Sequence, residues 1–396
     1  MRIGTANSYD NGLELLYRRQ SAVASLQEQL GSGKKINRAS DDPIGVAQAE
    51  RAMVHLDRIE TDQRALEVRR GAIASAESTL GEANALVQSV RDLVITAANG
   101  TYPASERGTV AIQVASLRDQ LLALANRTDS NGVPLFGALG SSAAPFSDLA
   151  TGIRFEGTPG QRSATDTQLP GAMNGQAVFM DVPSGNGTFE VSLASANTGS
   201  LWTDTGKVVV PSSLTGNNYS VNFTVAAGAT TFSVVNTTTA TTVASGQPYK
   251  DGGAIQFEGL AIVPRGTPHD GDSFTIAAST TTNIFKVIDD TIAGIDNQPN
   301  GGALSHAVAL SLAQLDSSLD RLQAARSQAG DWLNRADSIT SAQEGKTISL
   351  EADRSRAEDL DMVKGISDFN KAQTGYQAAL QSYAQIQKLS LFNYIP

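Results

Sequence analysis

The chain has 396 residues, of which 30 are basic and 40 acidic, so its net charge near pH 7 is −10, and it contains no cysteine. This negative charge argues against a nucleic-acid groove and against a basic patch for a membrane surface. Without cysteine, neither a disulfide framework nor a thiolate metal site can form. No apolar run approaches the roughly 18 residues needed to span a bilayer, and the N-terminus lacks the apolar core of a signal peptide. We therefore expect a soluble chain without membrane insertion that leaves the cell, if it does so, without a cleaved signal.

Residues 1–42 predict an N-terminal helix followed by a turn. Apolar side chains recur there with the spacing of a narrow helical stripe. The members of that stripe are Tyr9, Leu13, Leu16, Val23 and Leu30. Gly31 and Gly33 interrupt the pattern and predict the turn. Asp42 has the side chain of a good helix cap, and Pro43 suits the first position of the next helix, where its missing N–H costs nothing.

A long helix and a shorter hairpin helix are predicted over residues 43–132. Apolar residues recur every seven positions through the first part, at Ile59, Leu66, Ile73, Leu80, Val87 and Val94. A sustained repeat of this kind favours packing against a partner helix over packing into a wide globular core. Asn99-Gly100 and Pro103 end the long helix and begin the shorter one, which runs to the turn sequence DSNG at 129–132.

Residues 133–282 differ in composition and predict a β-rich outer domain inserted between the helices. Charge is sparse, and short runs of alternating apolar and polar residues are separated by Gly, Asn or Pro. These runs are TFEVSLA at 188–194, YSVNFTVAA at 219–227, TTFSVVNTT at 230–238 and SFTIAAS at 273–279. Alternation of this kind is typical of antiparallel strands.

Helical periodicity returns in residues 283–345, and residues 346–396 predict a C-terminal assembly helix. That last helix carries a second apolar stripe, made by Met362, Ile366, Phe369, Tyr376, Leu380, Tyr383 and Ile386. The predicted fold class is α+β, with a long antiparallel coiled-coil-like bundle formed by both chain ends and an all-β domain inserted in the middle. Narrow stripes stabilise isolated helices poorly in water, so the two ends need partners.

Residues with catalytic potential form no recognisable catalytic or metal-binding pattern. The three histidines, His55, His269 and His306, lie in no metal-binding motif, and His55 and His306 are expected to face solvent from predicted helices. GSGKK at 31–35 lacks the spacer of a phosphate-binding loop, and no G-x-S-x-G sequence occurs. We therefore expect no enzyme activity, no cofactor and no bound metal.

Segments near both ends of the chain resemble paired signatures of one known family. LGSGKKINRASDDP at 30–43 combines a helix end, a glycine turn and an Asp-Asp segment before a long second helix. ADRSRAEDLDMVKGISDF at 352–369 is similar to the matching C-terminal signature, and AALQSYAQIQKLSLFNYI at 378–395 to the terminal helix. In this order the segments resemble the bacterial flagellin family.

Further segments resemble the hook–filament junction members of that family more than its filament-forming members. They are DSNGVPLFG at 129–137, IRFEGTPGQR at 153–162, GDSFTIAASTTTNIFKVIDDTI at 271–292 and ARSQAGDWLNRAD at 325–337. The resemblance implies a structural subunit, exported through the flagellar type III apparatus without a cleaved signal, whose terminal helices pack as coiled-coil layers in a tube. It implies as partners hook-associated protein 1, flagellin, further copies in a ring and an export chaperone before secretion. The implied location is extracellular, at the flagellum.

Two other functions compete with the junction role. A filament-forming flagellin would share the same two ends, whereas an extracellular adhesin or scaffold would use the helices as a stalk and the β domain as a head. The basic residues Lys34, Lys35 and Arg38 also have two readings. They could pair with acidic residues of a neighbouring subunit, or they could belong to a solvated turn, since exposed ion pairs contribute little.

Overall fold

The structure is a computed structural model that describes residues 5–99, 102–141, 144–165, 168–296 and 301–388. Within helices, the side chains of residues 5–9 and 386–388 fall outside this description. The helices are α1 (Thr5–Ser32), α2 (Pro43–Ala97), α3 (Ala104–Ala125), α4 (Ile284–Asp296), α5 (Gly302–Glu358) and α6 (Met362–Lys388). Among the described residues, no helix has a segment apolar enough to cross a membrane.

The strands lie between α3 and α4. The strands before residue 215 are β1 (Phe146–Leu149), β2 (Gly152–Phe155), β3 (Val182–Pro183), β4 (Phe189–Leu193), β5 (Trp202–Thr203) and β6 (Lys207–Val208). Those after it are β7 (Tyr219–Ala226), β8 (Ala229–Asn236), β9 (Thr241–Pro248), β10 (Ile255–Phe257), β11 (Leu260–Ile262), β12 (Pro264–Arg265), β13 (Ser273–Ala278) and β14 (Thr281–Thr282). The combination of terminal helices with a central β region confirms the predicted α+β class.

The chain divides into two compact units. The terminal unit contains the described residues of Met1–Arg64 and Ser338–Pro396, and the central unit those of Ala65–Asp337. Helices α2 and α5 contribute residues to both units. The boundary predicted between residues 345 and 346 falls inside α5, because the sequence there contains no strong helix breaker. Gly345 is accommodated in the helix, with no atom within 4 Å of the place where a Cβ would stand.

In the central unit, α2 and α5 run antiparallel and bury the predicted seven-residue stripe. The stripe residues Leu66, Ile73, Leu80, Val87 and Val94 are all buried there. Two ion pairs mark the relative direction of the helices: Arg326 lies 2.6 Å from Glu77, and Arg91 lies 2.8 Å from Asp316. The repeat thus does what its period predicts, since it packs one long helix along another.

The β region of the central unit is built on a five-stranded antiparallel sheet in the order β4-β13-β7-β8-β9. The four segments predicted as strands from their alternation coincide with β4, β7, β8 and β13. Their inward residues form a fully buried core with those of β10 and β11, and it includes Phe189, Val191, Tyr219, Val221, Phe223, Phe274 and Ile276. Short pairs β5–β12, β3–β14 and β6–β11 extend the pairing outside the main sheet.

His306 corrects a prediction made from the sequence. It was expected to face solvent, but it is only 7% exposed. Its Nε2 lies 3.1 Å from the carbonyl oxygen of Val191 in β4, and its Nδ1 lies 3.1 Å from the carbonyl oxygen of Thr203 in β5. Helical periodicity cannot reveal this burial, because the strands that cover the imidazole are more than a hundred residues away in sequence. Burial lowers the pKa of His306 below its ordinary value. His55, in contrast, is exposed.

Candidate assembly interface

The two places where the chain turns in the terminal unit are hydrogen-bonded to each other. The backbone N–H of Lys35 donates to the carbonyl of Glu358 at 2.8 Å, and the N–H of Leu360 donates to the carbonyl of Gly33 at 2.9 Å. Gly33 has a φ of +71°, which favours glycine because other residues clash with their own Cβ there. The turn after α1 is therefore held to the break between α5 and α6, which places the end of α1 beside the start of α6.

The basic residues of this turn are engaged within their own chain. Lys34 Nζ lies 3.1 Å from a carboxylate oxygen of Glu358, and Lys35 Nζ donates to a backbone carbonyl at 2.8 Å. Arg38 lies 3.6 Å from Glu28. These contacts favour the reading as a turn belonging to the chain over the reading as a set of free charges for a neighbour. The side chains of Lys34 and Arg38 are substantially exposed, so each pair adds little to stability.

Asp42 stands at the N-terminus of α2 in the geometry of a helix cap. Its Oδ1 accepts the backbone N–H of Ile44 at 3.1 Å and that of Gly45 at 3.0 Å. Pro43 opens the helix at the position where no N–H is needed. The carboxylate thus satisfies two donors that the helix itself leaves unpaired, and it lies at the positive end of the helix dipole.

Gly31 lies in the last turn of α1, with no atom within 4 Å of its Cβ position.

Helices α1 and α6 pack against each other along their length in antiparallel fashion. A Cβ added to Gly12 would lie 3.3 Å from the ring of Tyr383, and one added to Gly365 would lie 3.2 Å from Leu30 Cδ2. The start of α1 therefore meets the end of α6, and the end of α1 meets the start of α6. Glycines at these positions let the two helices approach closely.

The residues predicted as an assembly interface separate into three groups. Seven are half-buried on the helices α1 and α6: Leu13, Leu16, Val23, Leu30, Phe369, Tyr376 and Tyr383. Three on α6 are exposed: Met362 by 46%, Ile366 by 49% and Leu380 by 43%. Tyr9 and Ile386 lie outside the residues whose side chains the structure describes.

Sequence reasoning missed several residues that share these faces. Gly365, Ala372 and Ala379 lie on the inward side of α6, at spacings of seven residues that interleave with Phe369 and Tyr376. The sequence does contain a pattern that could have identified them: a stripe of small residues lies three or four positions from the stripe of large residues formed by Phe369 and Tyr376. Val363, next to Met362 on α6, is also 82% exposed. It falls outside the predicted stripe, so only its apolar side chain could have suggested a role in the interface.

The exposed side chains of the α1–α6 pair can contribute to binding mainly by burying apolar area. The exposed apolar residues of α6 are joined on α1 by Leu15, exposed by 48%, and Tyr17, exposed by 63%. Within the described ranges, no group of three or more metal-ligating side chains is arranged to hold an ion. Met362, Ile366 and Leu380 lie on one side of α6 by their helical spacing, and exposed apolar residues that share a helix face are typical of surfaces that bind other protein segments.

Family models match both end regions of the chain. Residues 3–140 match the bacterial flagellin N-terminal helical region, and residues 312–395 match the bacterial flagellin C-terminal helical region. Together these regions make up more than half of the chain. The chain belongs to the bacterial flagellin family. It is a structural protein of the flagellum and not an enzyme.

Individual relatives are hook-associated proteins as well as flagellins. Flagellar hook-associated protein 3 of Escherichia coli K12 is 23% identical over an alignment of 405 positions that covers 99% of both chains. The same protein of Salmonella typhimurium is 34% identical over 155 residues, 38% of this chain and 48% of that protein. Flagellin A of Vibrio anguillarum is 24% identical over 371 residues, 91% of this chain and 90% of that protein.

Solved structures show the same likeness. Flagellar hook-associated protein 3 from Legionella pneumophila superposes with a TM-score of 0.71 at 28% identity, covering 76% of this chain and 97% of that one. FlgL from Xanthomonas campestris superposes with a TM-score of 0.69 at 27% identity, covering 76% of this chain and 98% of that one. The chain is thus similar to hook-associated protein 3 in both sequence and fold.

Proposed function

We propose that this chain is the subunit that joins the hook-associated protein 1 layer to the flagellin filament. The observation that carries the proposal is the likeness to hook-associated protein 3 over nearly the full length of both chains. The paired helices α1 and α6 add physical support, since they leave apolar side chains uncovered on a surface made from both ends of the chain. Such a surface suits a subunit that completes its packing against neighbours.

Assembly proceeds by burial of that surface between copies arranged in a ring. A large apolar side chain that passes from full exposure to full burial contributes roughly 1.5 to 3 kcal/mol. The exposed residues Met362, Val363, Ile366 and Leu380 supply apolar area for this burial, which opposes the cost of ordering the interface. Neighbouring helices in a coiled-coil-like layer supply the partner faces that a seven-residue repeat favours.

The partners that follow are flagellar. Hook-associated protein 1 contacts the ring on the side of the cell, flagellin contacts it on the distal side, and further copies of the chain complete the ring. An export chaperone holds the chain before secretion, and export uses the flagellar type III apparatus without a cleaved signal. These assignments rest on the family similarity.

Electron microscopy of a deletion strain separates this role from that of a filament-forming flagellin. For a junction subunit, cells without the chain retain hooks, lose filaments and release flagellin into the medium. Antibody against the chain then labels the tips of purified hook-basal bodies from wild-type cells. If instead the chain itself is the main protein of the sheared filaments, the junction role is wrong and the chain is a filament subunit.

Substitutions in the paired helices test the mechanism of assembly. In the deletion strain, Leu16→Asp combined with Tyr376→Asp is expected to block incorporation, because each substitution places a charge on the half-buried face between α1 and α6. The matched control is Gln20→Asp combined with Gln373→Asp, at exposed positions of the same helices. Near-ultraviolet circular dichroism of the purified chains checks that the β region keeps its fold. Normal filaments in the Leu16 and Tyr376 variant contradict the packing mechanism.

A further inference from the structure

A groove of about 520 Å³ lies in the terminal unit between the first turns of α2 and the last turns of α5. Among the residues beside it, Ala52 and Ala357 are buried, and their small side chains leave the space between the two helices unfilled. Leu350 adds apolar surface to the α5 side, and Ile44 stands at the rim with 72% of its surface exposed. The groove therefore has a mixed lining, with apolar surface from Ala52, Ala357 and Leu350 beside polar side chains, and one large uncovered apolar residue at its edge.

Three basic and two acidic side chains line the groove: Lys35, Arg51 and Arg356, with Asp42 and Asp353. Ile44, Arg51 and His55 lie on one face of α2, because their spacings of seven and four residues bring them into line. The Nε of Arg51 donates to the carbonyl of Ala47 in its own helix, and its guanidinium forms no ion pair with any residue that the structure describes. Arg356 adds a second guanidinium from α5, where it contacts Asp353. Because Asp42 caps α2 and Asp353 pairs with Arg356, the lining carries one more cation than acid, and the guanidinium of Arg51 has no acidic partner among the described residues.

The opposite side of α5 carries a stripe of complementary composition. Glu344, Ile348 and Glu351 are spaced by four and three residues, and all three are exposed, Ile348 by 68%. In the described part of the chain, neither glutamate has an ion-pair partner. At 3.6 residues per turn, this stripe and the groove-lining residues Asp353 and Arg356 project from nearly opposite sides of the helix.

We propose that the groove of one copy binds the stripe of Glu344, Ile348 and Glu351 on the next copy. Ile348 packs on the apolar part of the lining beside Ile44, and the two glutamates pair with the guanidinium groups of Arg51 and Arg356. Charge complementarity selects this occupant, because the stripe carries two acids without ion-pair partners among the described residues and the groove has a net positive lining with the unpaired guanidinium of Arg51.

The positions of the groove and the stripe determine which kind of oligomer the contact can form. Because groove and stripe lie on different faces of the unit, the contact joins unlike surfaces, head to tail. Such a contact closes into a ring or continues as a helix, depending on the rotation between copies. The inference rests on the proposed function and adds to it the surfaces through which neighbouring subunits meet.

Cross-linking between two singly substituted chains tests the contact directly, since the natural chain has no cysteine. One chain carries Ala47→Cys beside the groove, and the other carries Ser341→Cys or Ser355→Cys at either end of the stripe, because the stripe can enter in either direction. Both chains are expressed in the deletion strain, and isolated flagella are treated with a short bismaleimide. The control replaces Ala47→Cys with Asp57→Cys, on another face of α2.

A band at twice the mass of the chain is expected with at least one of the two stripe positions and absent with the Asp57 control. Flagella that carry filaments but give no such band with either stripe position overturn the groove contact and leave the junction role intact. Flagella that lack the chain altogether overturn the proposed function, so the two failures are distinguishable. Equal cross-linking with Asp57→Cys also counts against the groove.

Charge reversal provides a second readout. Arg51→Glu with Arg356→Glu is expected to abolish filament attachment, and so is Glu344→Arg with Glu351→Arg. All four substitutions in one chain should restore filaments, because every ion pair of the contact is reversed and none is lost. Failure of the fourfold variant to restore filaments, when circular dichroism shows a folded chain, contradicts the pairing.

Discussion

The five-stranded sheet of the central unit and the α1–α6 pair of the terminal unit use their apolar residues in different ways. In the sheet, Val221 and Phe274 are wholly inaccessible to solvent and Phe223 is 1% exposed. On the described parts of α1 and α6, no apolar side chain larger than glycine is fully buried. The sheet completes its core within one chain, whereas the helix pair satisfies only part of its apolar surface. The difference supports the proposal that the ends, and not the β region, complete their packing against other subunits.

Residue choice explains this difference. The strands alternate large apolar residues such as Phe223 and Val221 with polar ones, so that one face of the sheet is wholly apolar. The inward faces of α1 and α6 instead combine large residues with glycine and alanine, as at Gly12, Gly365 and Ala372. Small residues allow close approach of the two helices but bury little area. A pair of this kind gains most of its stability when further helices cover it.

Amide hydrogen exchange on the soluble monomer provides the largest expected contrast. Residues 9–30 and 362–388 should exchange through local opening of low free energy, whereas the amides of β7 and β13 should require opening close to global unfolding. In assembled flagella the same terminal residues should become protected. Strong protection of both ends in the monomer would remove the distinction between the two regions and count against folding of the ends on assembly.

Two alanine substitutions of the same residue type sharpen the comparison. Phe274→Ala removes a fully buried ring from the β core and should cost about 3 to 5 kcal/mol of the free energy of unfolding. Phe369→Ala removes a half-buried ring from the α1–α6 pair and should cost roughly 1 kcal/mol in the monomer. Denaturant unfolding followed by circular dichroism measures both. Similar losses for the two variants would mean that the terminal pair is as self-sufficient as the sheet.

The buried faces of the helices and strands could be predicted from the sequence, because they follow from local periodicity. The seven-residue spacing of Leu16, Val23 and Leu30 predicts the inward side of α1, and alternation predicts β7 and β13. The hydrogen bonds from Leu360 to Gly33 and from Lys35 to Glu358 join residues more than three hundred positions apart, so no local sequence pattern predicts them. The exposure of Met362, Ile366 and Leu380 has the same origin, because it depends on which distant parts of the chain pack against α6.

The burial of His306 shows the same limit and gives a pH-dependent prediction. Its folded-state pKa is lowered by burial, although two backbone carbonyls and nearby Glu190 act in the opposite direction. The unfolded chain therefore binds a proton at this site more readily than the folded chain. The contribution of neutral His306 to stability is complete above the ordinary value near 6.5 and is lost as the pH falls from there towards the folded-state pKa.

Denaturant unfolding at pH 7.5 and pH 5.5 measures this effect through matched substitutions. The stability difference between the natural chain and His306→Gln should shrink at the lower pH, because only the natural chain has the buried imidazole. His55→Gln, at an exposed position, should leave the pH dependence unchanged. An unaltered difference between the natural chain and His306→Gln at the two pH values would show that His306 binds its proton equally well in both states. The effect belongs to the central unit and should leave the α1–α6 pair unaffected.

The smallest expected effect separates helix propensity from helix pairing within the terminal unit. Gly345→Ala in α5 meets no neighbouring atom and should stabilise the unit by roughly 0.5 to 1 kcal/mol, the usual gain of alanine over glycine inside a helix. Gly12→Ala in α1 offers the same gain, but its Cβ would lie 3.3 Å from the ring of Tyr383, closer than an ordinary contact. The ring must move for α1 and α6 to keep their register, so the gain should be reduced or reversed. Thermal melting followed at far-ultraviolet wavelengths compares the two variants, and equal stabilisation by both would mean that α1 does not meet α6 at this point.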